Sequence, residues 1–232
     1  MVMIVLAFAT ELECGHALAA VTPQGHQAAE PFIWRDRAFI PVVVGIGPVA
    51  AALTIGEVLT RHSDATGVVN LGICGSFDLA SLPLGATSVA TMEIWPEYGV
   101  ATSNLSPVSF PHQMLPEVPL NPPNRIRLEP DSEACAMGLT LPPHWARTVS
   151  LTVAGVSGDA ELAALRHRQH SAHTENMEGF ALALAARRHN LPFLEIRTVS
   201  NAVGIRDKAA WNFKKALGSL HDILPMLTGD PA

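Results

Sequence analysis

The sequence has little charge, few cysteines and no apolar run long enough to span a bilayer, and each scarcity removes a class of protein. Charged residues make up 16% of the 232 positions against 48% hydrophobic ones. That is too little charge for a disordered chain and enough apolar material for a sizeable core. The three cysteines, Cys14, Cys74 and Cys135, form no C-x-x-C pair, which argues against a disulfide framework and against a cysteine zinc site. Lys and Arg total 15 against 21 Asp and Glu, a formal net charge of −6. This is the wrong sign for a dedicated partner of nucleic acid or of an anionic membrane. The apolar opening, residues 1–9, lacks a basic flank and runs at once into Glu11 and Glu13, so it reads poorly as a membrane span or a signal peptide. Internal repeats and low-complexity tracts are absent from the sequence. The expectation is a soluble, cytoplasmic globular protein with one domain over 1–232, at about 100–200 residues per domain.

What is present is an alternation. Apolar runs suited to strands buried on both faces occur at 2–9, 39–44, 66–71, 86–94, 148–154 and 192–200. Helix-like runs fit at 49–61, 159–169, 178–189 and 207–220. The third is the best defined. Its interior is rich in Ala and Leu, Arg187, Arg188 and His189 put positive charge at its C-terminal end, and Asn190 and Pro192 stop it. Strands alternating with helices predict an α/β sheet with helices on its faces. Residues 101–148 break the pattern with nine of the chain's 18 prolines. Proline excludes long helices and central strands there, so the segment is expected to be a loop-rich insertion that shapes a pocket or a subunit contact.

Several short motifs bear on function, each with a plainer reading beside it. Val44-Gly45-Ile46-Gly47-Pro48-Val49-Ala50 has the form strand, G-x-G-x-x-A, helix, and Asp64 lies near the offset of a ribose-binding acid in dinucleotide folds. Pro48, however, removes a backbone N–H from the end that would cradle a pyrophosphate, and Asp64 precedes the next strand instead of ending it. A structural glycine turn that packs a helix close to a sheet is preferred. Asn70-Leu71-Gly72-Ile73-Cys74-Gly75-Ser76 reads as a second glycine-rich turn, facing a ligand or merely tight. Cys74 within it reads as a small buried thiol. Glu13 is either a general base at the tip of the first strand or half of a capping box with Thr10. Glu178, near a helix start, either holds sugar hydroxyls or compensates the helix dipole. Asn201, ending the last strand, either pairs with a heterocycle or forms a turn. His167, His170 and His173 share a three-residue spacing, but without a tight set of acidic or cysteine ligands they read as a solvated helix end, not a metal site.

The order of these pieces is more specific than any one of them. Thr10-x-x-Glu13 is followed by Gly45-Ile46-Gly47-x-Val49-Ala50-Ala51-Ala52 and Asn70-x-Gly72-x-Cys74-Gly75-Ser76. Later come Val156-Ser157-Gly158-Asp159, Glu175-x-Met177-Glu178-Gly179 and Arg197-x-x-Ser200-Asn201. The set resembles the purine nucleoside phosphorylase/nucleosidase superfamily, in particular its hydrolytic, methylthioadenosine nucleosidase-like branch. Within that branch, the run from Glu195 to Asp207, followed by Trp211, is similar to the futalosine hydrolase family. The likeness extends from Val2 to about Leu220 and leaves the proline-rich middle without correspondence.

The resemblance implies a three-layer α/β/α sandwich around a mixed, partly barrel-like sheet. It implies that Glu13 activates water, that Glu178 bridges the 2′- and 3′-hydroxyls of a ribose beside Met177, and that Asn201 supports the departing base. Ser76, Ser157 and Gly158 are further expected substrate-binding positions. Asn201 stands where the methylthioadenosine enzymes carry a proton-donating aspartate, and an amide suits N7 and the 6-oxo group of a hypoxanthine-like base. The family's base-stacking phenylalanine has no counterpart at Glu161 or Leu162, which leaves Phe180, Trp95 and Tyr98 as candidates. Arg206, ahead of Lys208, is expected to meet a substrate benzoate. The implied activity is hydrolysis of the N-ribosidic bond of futalosine or its 6-amino analogue, releasing hypoxanthine or adenine in menaquinone biosynthesis. The alternative on the same fold is a purine nucleoside phosphorylase or a methylthioadenosine-type nucleosidase. A homo-oligomer, dimer or larger, is implied, and no metal, organic cofactor, nucleic acid or membrane partner. Charge favours hydrolysis, because a phosphate co-substrate needs cationic donors. Residues 1–34 and the stretches 45–52 and 72–76 contain no Lys or Arg.

Overall fold

The computed structural model describes residues 2–22, 30–100 and 112–229. The apolar run at the N-terminus is strand β1 (Val2–Phe8), and helix α1 (Glu11–Leu18) follows it directly. Next come β2 (Phe32–Trp34), β3 (Arg37–Val43), α2 (Pro48–Arg61), β4 (Gly67–Ser76) and β5 (Thr87–Ile94). The described part of the proline-rich stretch holds β6 (Arg125–Arg127) and α3 (Pro130–Ala136), both short, before β7 (Ala146–Thr152) begins. Residues 101–111 of that stretch lie outside the described residues. The remainder runs α4 (Ala160–His170), β8 (Thr174–Asn176), α5 (Gly179–Arg188), β9 (Phe193–Ala202), α6 (Phe213–His221) and α7 (Ile223–Leu227).

These strands join one mixed sheet of nine. β4 pairs with β8, β8 with β7, β7 with β5 and β5 with β9, and β9 returns to β4. Five strands thereby close into a barrel. β1, β3 and β2 extend the sheet outward from β4, and β6 adds to β5. A pleated strand sends alternate side chains to opposite faces. Ile4, Leu6 and Phe8 of β1 therefore enter an apolar cluster with Leu18, Leu217, Leu220 and Leu224. Val5 and Ala7 enter another with Ile55, Leu59, Phe180 and Leu182. Each large side chain so buried contributes roughly 1.5–3 kcal/mol by leaving water. The sheet lies between α1, α6 and α7 on one side and α2 and α5 on the other, the three-layer arrangement that the resemblance implied.

Two local readings are corrected. The stretch from Asn70 to Ser76 is not a turn, because β4 continues through it to Ser76. Its glycines serve close packing. A Cβ at Gly72 would stand 2.5 Å from Arg197 Nη1 and 2.8 Å from Glu13 Oε1, and one at Gly75 would stand 2.8 Å from Val203 Cγ2. The expected helix over 207–220 is in two pieces. Asp207 caps a 3-10 turn at Lys208–Ala210, Trp211 is extended, and Asn212 caps α6 by accepting the Lys215 N–H at 2.9 Å. Side-chain capping by Asp207 and then by Asn212 starts each piece separately. Among the described residues, no helix is long and apolar enough to cross a membrane.

Candidate active site

A cavity of about 380 Å³ opens at the carboxyl ends of β1, β4 and β9. This is where α/β sheets present their ligand-binding side chains, and the volume is within the usual range for a small-molecule site. Glu13, Met177, Glu178 and Asn201 all line it.

Glu13 belongs to the first turn of α1 and is 4% exposed, so it is not the solvated helix start of the plainer reading. Thr10 does cap the helix: its Oγ1 accepts the Glu13 N–H at 3.2 Å, and its hydroxyl donates to Glu13 Oε2 at 2.8 Å. In an ordinary capping box the glutamate would return to the backbone N–H of the cap residue. Here Glu13 Oε1 instead accepts the Ile73 N–H at 2.9 Å. The carboxylate is therefore held by two donors at the cavity wall, where an acceptor oxygen can orient a water and take its proton.

Glu178 stands at the cap position of α5. Its Oε1 accepts the Gly47 N–H at 3.1 Å, and its Oε2 lies 3.5 Å from Arg197 Nη2. Gly47 reaches that position with a φ of +92°, which glycine adopts freely. The turn at 45–47 thus aims its amide at a glutamate, where a dinucleotide site would need it for a pyrophosphate. Asp64 is exposed in the turn before β4. Burial pushes the Glu178 carboxyl above the ordinary carboxylate range, while Arg197 and the Gly47 N–H pull it back down.

Asn201 sits near the end of β9, where a bulge in the β4 pairing sets it opposite Gly75. Its Nδ2 donates to Ala202 O at 2.9 Å, and its Oδ1 lies 2.8 Å from Ser200 Oγ. One amide N–H remains for a ligand. Cys74 also lines the cavity, but burial pushes its thiol up to about 12, so it is no nucleophile near neutral pH. Leu12, Ile46, Val156, Ile205, Trp211 and Phe213 make much of the remaining wall apolar. Arg206 is the one cationic liner among the described residues, its guanidinium 5.2 Å from the centre of the Trp211 ring, a cation–π contact. Lys208 does not reach the wall.

Other expected residues fall elsewhere. Ser76 is fully buried behind the wall, its Oγ accepting the Asp78 N–H at 3.3 Å, because β4 carries it past the cavity. Gly158 is exposed and off the wall. Ser157 does line the cavity, but its N–H and hydroxyl both donate to Glu175, at 2.8 and 2.7 Å. Glu175 is in turn paired with Arg166 at 3.0 Å, so the donors of Ser157 are committed to the protein. Of the stacking candidates, Phe180 is buried in the cluster between the sheet and α2. Trp95 lies 6.0 Å from it and stacks on Tyr98. None of the three touches the cavity, nor do Glu161 and Leu162. Among the described residues, the aromatic liners are Trp211 and Phe213, with ring centres 5.2 Å apart. Reading 207–220 as one helix hid them, although two aromatics just beyond Asn201 and Arg206 were visible. His167 Nδ1 lies 2.7 Å from Ala172 O, and His173 Nδ1 accepts the Val149 N–H at 3.0 Å, so backbone groups occupy both rings.

Arg197 is the residue to which the sequence assigned no role. It is 2% exposed, with Nε 3.2 Å from Glu195 Oε1 and Nη2 3.5 Å from Glu178 Oε2. Its Nη1 fills the space that Gly72 leaves beside Glu13. Burial opposes its charge, but Glu195, Glu178, Glu13 and Cys74 more than offset this and raise its hold on the proton. Arg197 thus lies behind the carboxylates, which already surround it. The signal for it was a pair of opposite charges, Glu195 and Arg197, two positions apart in a buried strand.

Residues 3–224 match the profile of the phosphorylase superfamily, and the chain belongs to that family. Its relatives include the futalosine hydrolase of Streptomyces coelicolor, 32% identical over 97% of this chain and 94% of that protein. The futalosine hydrolase of Thermus thermophilus is 32% identical over 82% of this chain and 84% of its own. Among solved structures, a futalosine hydrolase mutant from Helicobacter pylori aligns with a TM-score of 0.75 at 16% identity, covering 97% of this chain and 98% of that one. The 5′-methylthioadenosine/S-adenosylhomocysteine nucleosidase of the same organism aligns with a TM-score of 0.74 at 17% identity, covering 97% of each chain. The likeness therefore extends over the whole fold.

Proposed function

We propose that this protein is an N-glycosyl hydrolase of menaquinone biosynthesis that cleaves the N-ribosidic bond of futalosine or its 6-amino analogue, releasing hypoxanthine or adenine and leaving the rest of the nucleoside as the pathway intermediate. The observation that carries this reading is the meeting of Glu13, Glu178 and Asn201 at one cavity, on a chain 32% identical to a futalosine hydrolase over 97% of its length. Glu13 orients a water and takes its proton as the oxygen attacks C1′. The bond from C1′ to the base breaks, its electron pair leaves with the base, and the base takes up a proton from solvent as Glu13 returns its own. Such general-base assistance is typically worth about 10²–10⁴-fold. Glu178 accepts from the ribose hydroxyls, with Met177 packed beside the sugar. Asn201 donates its free N–H to the base, and Arg206 pairs with the benzoate. Ser157 shapes the wall through its bonds to Glu175.

Water is favoured over phosphate because the nucleophile side of the cavity is anionic. Glu13 faces it, and Arg197 behind it is already matched by carboxylates. No metal or organic cofactor enters this mechanism. The test is incubation with futalosine and a panel of purine nucleosides, with and without phosphate, scoring free base. Release from futalosine without phosphate supports the reading; strict dependence on phosphate, or no release, overturns it.

The same reading places the enzyme in the cytoplasm as one domain over 1–232 and as a homo-oligomer. Leu12 and Ile46 are 59% and 63% exposed at the cavity rim, and Val49 and Leu53 continue that apolar surface along α2 at 71% and 68%. A contiguous apolar patch of this kind suits a second copy of the chain, and sedimentation velocity measures whether one binds.

A further inference from the structure

We propose that Asn176 is the positioning residue of the ribose clamp, set in turn by the buried Glu93 and Glu195 carboxyl groups beneath it. This rests on the reading of Glu178 as the ribose-binding group. Asn176 ends β8, is 4% exposed and uses both ends of its amide. Its Oδ1 accepts the Glu178 N–H at 2.9 Å and the Gly179 N–H at 2.8 Å. These are donors that a helix start leaves without an intrahelical partner. Glu178 itself provides no side-chain cap for α5, so the cap comes from two residues upstream. The Nδ2 group points the other way, to Ser150 Oγ at 2.8 Å, Glu195 Oε1 at 3.0 Å and Glu93 Oε1 at 3.2 Å. The amide cannot be turned over, because its carbonyl must face two N–H groups and its NH₂ must face carboxylates.

The two carboxyl groups converge under the start of α5. A Cβ at Gly179 would stand 2.7 Å from Glu195 Cδ and 2.8 Å from Glu93 Cδ, so only glycine lets the helix begin there. Glu195 Oε2 has no hydrogen-bond partner among the described groups, and a proton kept within the pair supplies one. Burial pushes Glu93 well above the ordinary carboxylate range, and the Glu195 charge adds to this. Glu93 also accepts from Thr152 Oγ1 at 2.5 Å, and that hydroxyl accepts the Phe180 N–H at 2.7 Å. The first three amides of this turn, at 178, 179 and 180, are thus tied through Asn176 and Thr152 to the same pair. Glu195 also holds Arg197 Nε, whose Nη2 meets Glu178. The backbone and the side chain of Glu178 are therefore set by one buried network.

The test exchanges amide and carboxyl. Asn176→Asp keeps the acceptor for Glu178 and Gly179 but places a third carboxylate against Glu93 and Glu195 and loses the donor. Asn176→Asp combined with Glu195→Gln restores a donor–acceptor pair with the roles reversed. The reading is the ratio of kcat/KM on futalosine to that on its 2′-deoxy analogue, beside thermal melting and with Glu178→Ala as control. The expected result is a fall of about tenfold or more in the ratio for Asn176→Asp, the cost of one buried hydrogen bond, and its return in the double variant. If Glu178→Ala lowers the ratio while Asn176→Asp leaves it unchanged, the inference is overturned and the ribose reading stands. If Glu178→Ala leaves the ratio unchanged, the ribose reading falls and takes the inference with it. Should Asn176→Asp alone not fold, the double variant is compared with wild type: an equal ratio supports the role, and a collapsed ratio overturns it.

Discussion

The Ile73 amide donates a 2.9 Å hydrogen bond to the carboxylate of Glu13, which lies 60 residues earlier in the chain. The bond forms because β4 runs past the start of α1 with glycine at position 72. A side chain there would collide with Glu13 and with Arg197. A residue that would otherwise cap a helix is thereby committed to the wall of the cavity.

Glu13→Gln should lower kcat by about 10²–10⁴-fold, the usual worth of a general base, and leave KM nearly unchanged. The amide keeps the shape and can still accept the Ile73 N–H, but it cannot take a proton from water. Steady-state kinetics with calorimetric binding of futalosine check this. A wild-type kcat would leave Glu13 as a structural partner of Thr10 and Ile73 alone.

Gly72→Ala should cost stability and activity together. The added methyl would stand 2.5 Å from Arg197 Nη1 and 2.8 Å from Glu13 Oε1, and forced repacking of a filled interior costs about 1–3 kcal/mol. Urea unfolding measures the stability loss. Unchanged stability and turnover would mean that Arg197 and Glu13 shift aside freely and that their approach is incidental.

Arg206→Ala should impair futalosine hydrolysis far more than inosine hydrolysis, since inosine carries no benzoate. Loss of an arginine–carboxylate pair costs about 1.5–3 kcal/mol, roughly ten- to hundredfold. Equal impairment of both substrates would make Arg206 a structural partner of Trp211 instead.

Asn201→Asp should move preference from futalosine toward its 6-amino analogue. An ionised carboxylate cannot donate to a 6-oxo group, but it can accept from an exocyclic amine. Relative kcat/KM on the two substrates reads this directly, and an unchanged ratio removes Asn201 from base selection.

Stability should fall on acidification in a window set partly by His170. Burial, with Arg125 and Arg166 adding, pushes its imidazole down to about 4, whereas an unfolded histidine titrates near ~6.5. Between those values the unfolded chain binds the proton more readily, so the His170 contribution is present above the unfolded value and is lost as pH falls toward about 4. Melting temperature followed from pH 8 to 4 should drop less steeply in His170→Gln than in wild type. Parallel curves would assign the acid sensitivity to other groups.

Local signals in the sequence marked the alternating elements closely where the pattern was long. The first strand, α2, α4 and α5 lie within one or two residues of their expected bounds, because continuous apolar burial, Pro48, Asp159 and the Arg187–Asn190 stop signal are all local. Short elements such as β2, β6, β8 and α7 escaped notice, since three to five residues carry no period. The extension of β4 through Gly72 and Gly75 was misread because glycine is a turn former in isolation. It becomes a strand residue only when Arg197, Glu13 and Val203 need the room.

The order of motifs from Thr10 to Asn201 was enough, by itself, to point to the family and to bring Glu13, Met177, Glu178 and Asn201 forward. Each of those residues sits beside a local feature, a cap, a strand end or a helix start. Tertiary structure alone decided which neighbours serve them. Closure of β4, β8, β7, β5 and β9 into a barrel carries Arg197 behind Glu178, ties Asn176 to Glu93 and Glu195, and leaves Ser76 out of the cavity. Those relationships join residues up to 83 positions apart. They depend on strand pairing and on which side chains can share a buried charge, and neither has a local signature in the chain.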